Sequence, residues 1–82
     1  MANQSKVEKH ARALCVELAR TTDGQPMQWR MVAPIAAAVG LDDASAAIAY
    51  GVRRGWLLAE GQPPHSICLT DAGRVWTARL VK

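Results

Sequence analysis

The chain has 82 residues, enough for one domain with a small core, since a chain of this size buries only about 60% of its unfolded surface. Half of the residues are hydrophobic, which excludes a disordered chain, and the longest uncharged stretch, Met31–Leu41, is far too short to cross a membrane. The net charge of +3 is spread evenly along the chain and mildly favours nucleic acid over acidic partners.

The N-terminus, Met1–Lys6, is not followed by an apolar run like that of a signal peptide, so the expected location is cytoplasmic in a prokaryote. Residues 1–5 are expected to be flexible. Ser5–Arg20 reads as a first helix. Val7, Ala11, Leu14, Cys15 and Leu18 recur at steps of three and four, the spacing of one helical face. Lys6, Glu8, Lys9, Arg12, Glu17 and Arg20 lie mostly off that face, and Glu8 can pair with Arg12 one turn on.

Thr21–Pro26 is turn chemistry. Gln28-Trp29-Arg30 reads as a short extended segment. Met31–Val39 reads as a second helix with Pro34 inside its first turn, where a missing N–H costs little. Gly40 ends it, and Asp42 or Asp43 can cap the next helix. That third helix runs Ala44–Arg54. Its buried side is expected to hold Ile48, Gly51, Val52 and part of Ala44. Its outer side is expected to hold Ser45, Ala46, Ala49, Tyr50, Arg53 and Arg54. Gly55 stops it.

Two apolar runs follow, Trp56–Ala59 and Ser66–Leu69, split by the turn Gly61–Pro64, which is a hairpin signal. Thr70 can cap a last helix, Asp71–Leu80, with Val75, Trp76 and Leu80 at helical spacing. The helix dipole favours Asp71 at its start and Arg79 and Lys82 at its end.

Chemical motifs are few. No Gly-rich phosphate loop, His-Glu-x-x-His pattern or nucleophile elbow occurs, so neither an enzyme nor a cofactor is expected. Cys15 and Cys68 read as buried free thiols. A metal site is not expected, because His10 and His65 form no ligand-spaced pair with them. Both histidines are expected to be exposed. Trp29, Trp56 and Trp76 read as core, with base stacking as the alternative.

The order of these elements, and above all Arg54-Gly55-Trp56-Leu57 and Ile67-Cys68-Leu69-Thr70-Asp71-Ala72-Gly73-Arg74, resembles the winged helix-turn-helix family over roughly Val7–Leu80. The resemblance implies a mainly α fold with a small antiparallel β-hairpin: a three-helix core, a wing and a C-terminal helix. The segment Gln28–Arg30 would then be a third strand. It also implies a small DNA-binding transcription regulator, with helix 44–54 in the major groove and hairpin 56–69 as the wing. Ser45, Ala46, Ala49, Tyr50, Arg53 and Arg54 would face duplex DNA, flanked by Gln28, Arg30, His65 and Arg74. Two features differ from the family pattern. The third helix opens on Asp42 and Asp43, and the wing tip Glu60–His65 has no Lys or Arg. Both favour the alternative, a winged helix that binds a protein and makes no direct DNA contact. The first and last helices are the candidates for a weak homodimer.

Overall fold

The computed structural model describes residues 2–25 and 27–80. Four helices and one small sheet follow in the order α1 (Ala2–Thr21), β1 (Arg30–Met31), α2 (Val32–Ala38), α3 (Ser45–Arg53), β2 (Leu57–Glu60), β3 (Ser66–Leu69) and α4 (Asp71–Leu80). The three strands form an antiparallel sheet in the order β1-β3-β2. The expected turn role of Pro26 and the end-of-helix charge of Lys82 fall outside the described residues.

The core is built on α1. Ala11, Leu14, Cys15 and Leu18 are fully buried, one stripe at the spacing expected of a helix that covers a core. The helix starts at Ala2 rather than Ser5. No Gly or Pro interrupts that stretch, and little opposes its continuation. Glu8 and Arg12 pair at 3.5 Å, and Glu17 pairs with Arg20. Both pairs are solvated on the Arg side and contribute little. His10 is half-buried rather than exposed, because its position on α1 lies next to the buried Ala11.

The first strand starts two residues later and ends one residue later than the sequence indicates, at Arg30–Met31 instead of Gln28–Arg30. The Met27 N–H donates to Leu69 O at 2.8 Å, and Met27 has φ +63°, so the chain bends there before the ladder starts. Arg30 then pairs with Ile67 and Met31 with Ser66.

Both short helices end alike. At the end of α2, Leu41 N–H donates to Ala36 O and Gly40 N–H to Ala37 O. At the end of α3, Trp56 N–H donates to Gly51 O and Gly55 N–H to Val52 O. Each is a Schellman motif, which needs one residue in the left-handed region. Gly40 and Gly55 supply it at φ +76° and +79°, without the steric penalty of a Cβ. The second motif delivers Trp56 straight into the core.

Trp56 is the meeting point of three elements. It is 7% exposed. Its ring stacks on Trp76 of α4 at 3.9 Å and 12° and meets Tyr50 of α3 tilted at 5.9 Å. Its backbone carbonyl accepts the Thr70 N–H at 3.0 Å. The Thr70 hydroxyl donates to Gly55 O and accepts the Gly73 N–H at 2.9 Å, which caps α4 as expected. A Cβ at residue 73 would lie 2.2 Å from Trp56 O, so only Gly allows α4 to approach this closely.

Two apolar residues lie outside expectation. Trp29 is 40% exposed and Val75 is 46% exposed. Trp29 lies just before β1, two residues from the outward-facing Met31, and Val75 occupies the solvent side of α4 next to Arg74. Cys15 and Cys68 are buried free thiols. Burial pushes the Cys15 thiol up to about 12, so it stays protonated.

Truncation of a large buried aromatic costs about 3–5 kcal/mol, a large part of a small domain's stability. Trp56→Ala is therefore expected to lose its cooperative thermal transition at room temperature and above, followed by circular dichroism. A melt within a few degrees of the parent would contradict the role given to Trp56.

Candidate nucleic-acid interface

The α3 helix has one face in the core and one in solvent. Ala47, Ile48, Tyr50 and Gly51 are buried, against α1 and the start of β2. The close fit is visible at Gly51, where a Cβ would lie 2.6 Å from Leu57 Cδ1. Ser45, Ala46, Ala49, Val52 and Arg53 are exposed. Among the described residues, no other element covers them.

The hairpin stands beside this face. Ser45, Ala49, Val52 and Arg53 line one open groove with Ala59, Pro63 and Pro64. A second groove runs from Pro63 and Pro64 over Asp42, Asp43 and Ala44 to α2. The turn places both prolines against α3 because β2 and β3 pair in register from Leu57↔Leu69 to Glu60↔Ser66, leaving Gly61–His65 as the connection.

Asp43 starts α3 in an indirect way. Ala44, not an aspartate, occupies the position before the first helical residue and makes no side-chain cap. The Asp43 carboxylate instead accepts the Ser45 N–H at 3.0 Å. That backbone hydrogen bond, with a further one from the Ser45 side chain, holds the Asp43 carboxyl below its usual value.

The predicted site residues divide into three groups. Ser45, Ala49 and Arg53 come together in the groove, and Ala46 is exposed beside them. Arg54 and His65 are exposed but do not line it. The Arg54 guanidinium lies 5.4 Å over the Trp56 ring and 6.0 Å over Tyr50, and the Arg53 guanidinium lies 5.7 Å over Tyr50. His65 is exposed, with Nδ1 3.1 Å from Ser66 Oγ. The rest lie apart from the groove. Arg30 donates to Thr21 O at the end of α1 and to Trp29 O. Arg74 lines a separate groove between α1 and α4 with Arg20 and Asp23. Gln28 is exposed in the segment before β1.

Tyr50 and Val52 exchange the places expected of them. Tyr50 is 5% exposed and Val52 is 40% exposed. Tyr50 fills the space between α3 and α1, and its hydroxyl donates to Glu8 Oε1 at 3.1 Å. It is therefore not on the outer face. Val52 lies three residues after Ala49, so it shares that face. The spacing of Ser45, Ala49 and Val52 was the available signal. The pairing of Val52 with Ile48 concealed it, because an i,i+4 pair near a helix end does not put both members in the core.

Among the described residues, no three His, Cys, Asp or Glu side chains are grouped as metal ligands, and no helix is long and apolar enough to cross a membrane. Comparison with known proteins returns no match: no family model fits the chain, and no curated protein or solved structure is similar to it.

A hydrogen bond of this kind contributes about 1 kcal/mol. Tyr50→Phe is expected to lower stability by about that amount in urea titrations. A variant as stable as the parent would mean that the hydroxyl is not an internal tie.

Proposed function

We propose that this chain is a winged helix-turn-helix domain that binds duplex DNA as a small transcription regulator, with α3 in the major groove and the β2–β3 hairpin as its wing. The observation that carries the reading is the exposed outer face of α3, left uncovered between α2 and the hairpin. An α-helix fits the major groove, where its side chains meet base edges. The element order also supports it. A strand between α1 and α2 pairs with the return strand of the hairpin, the arrangement that the family resemblance implies. Arg53 lies on the groove and suits a phosphate.

A protein-interaction module without direct DNA contact is the second reading, and one observation favours it. Leu57, Ile67 and Leu69 are buried on the core side of the sheet. Their neighbours alternate to the opposite face. There Leu58 is 39% exposed and Met31 58% exposed, with Trp29 at 40% just before the strand. An exposed apolar group of this kind marks interaction surfaces more often than plain solvent faces.

Salt dependence separates the two. Each phosphate neutralised adds about 0.9 to the slope of log affinity against log salt on duplex DNA. Arg53→Ala together with Arg54→Ala is expected to lower that slope by about one to two units, and to weaken unrelated sequences equally. Ala49→Glu sets a negative charge on the same face and is expected to abolish binding while circular dichroism stays unchanged. If both variants bind duplex DNA as the parent does, α3 is not the DNA-reading element.

A further inference from the structure

We propose that α3 reads DNA through the 5-methyl groups of thymine, with Val52 as the principal contact and Ala49 beside it. The inference rests on the DNA-binding reading above and names the sequence class of that same face.

It follows from what the face offers. Reading a base edge by hydrogen bonds takes a positioned polar side chain: Arg or Lys on guanine, Asn or Gln on adenine, Asp or Glu on cytosine. The helix Ser45–Arg53 contains no Asn, Gln, Asp, Glu or Lys. Its Tyr50 hydroxyl is turned inward to Glu8. The preceding Asp43 carboxylate is held by the Ser45 N–H. Arg54 lies against Trp56 and Tyr50. Apart from Gln62 in the hairpin turn, the polar groups left on the groove are Ser45 at the first turn of α3 and Arg53 at its last. Between them stand Ala49 and Val52, which present only methyl groups. Ala59, Pro63 and Pro64 across the groove present no polar side chain either.

Val52 is the telling residue. In a domain with so small a core, a branched aliphatic side chain is 40% exposed in the last turn of α3, on the groove that the DNA-binding reading sets against the duplex. In the major groove the apolar feature that distinguishes base pairs is the C5 methyl of thymine. A·T and T·A carry it, and G·C and C·G do not. Burying one such group against another apolar group changes affinity about fourfold.

The test compares two alternating polymers, poly(dA-dT) and poly(dA-dU), at low salt. Uracil lacks only the methyl and keeps every pairing and minor-groove group. The parent is expected to bind poly(dA-dT) about four- to twentyfold more tightly. The surface substitution Val52→Ala suits a helix and should remain folded. It is expected to bring the ratio of the two affinities close to one. Equal binding of both polymers by the parent would overturn the inference and leave DNA binding standing. An unchanged ratio in Val52→Ala would overturn the role of Val52. Binding to neither polymer would overturn the inference together with the DNA-binding reading.

Discussion

The packing of Trp56 sets where the hairpin stands relative to α3, and the candidate interface depends on that placement. One ring joins Tyr50 of α3 and Trp76 of α4, and its backbone carbonyl lies where a Cβ on residue 73 would collide. Aromatic pairs contribute about 0.5–1.5 kcal/mol beyond the area they bury. The surface ion pairs Glu8–Arg12 and Glu17–Arg20 contribute about 0–1 kcal/mol each. The aromatic junction therefore outweighs the charges in fixing the hairpin. Once Gly55 turns the chain into Trp56, β2 has one direction available, and the Pro63–Pro64 turn comes to rest beside Ser45 and Ala49.

Charge has a different part. The groove carries Arg53, while Asp42 and Asp43 stand at the start of α3 and Glu60 at the end of β2. Arg30 and Arg74 lie toward α1 instead. Under the DNA-binding proposal, electrostatic attraction on this face would be mild, and shape and apolar contact would have to supply more of the discrimination. On the same proposal, affinity for unrelated duplex would rest on few phosphate contacts and be low at physiological salt. Met31 and Leu58 are exposed on a different surface, the far side of the sheet, with the exposed Trp29 just before β1.

Much of the fold was legible from local signals. The stripe Ala11, Leu14, Cys15 and Leu18 named the core face of α1. Gly40 and Gly55 marked two helix ends, and the Gly/Pro run marked the hairpin turn. The hidden parts depended on tertiary contacts. Tyr50 reads as a polar surface residue until Glu8, 42 positions earlier, is brought to its hydroxyl. Trp29 reads as core in a chain without Phe and with one Tyr, but it lies two residues before the outward-facing Met31 of β1 and is exposed. The separation of Arg74 from the α3 groove depends on how α4 crosses α1, which no pattern in either helix specifies. Val52 shares the outer face through its three-residue spacing to Ala49, a periodicity that outranks its hydrophobicity.

The most direct measurement is a backbone amide NMR titration of the protein with a 20-base-pair duplex at low salt. The account predicts the largest shifts at Ser45, Ala46, Ala49, Val52 and Arg53, with smaller ones at Gly61, Gln62 and His65, while Leu58, Cys68 and Met31 remain in place. Shifts confined to Trp29, Met31 and Leu58, or no shifts at saturating duplex, would contradict DNA binding through α3.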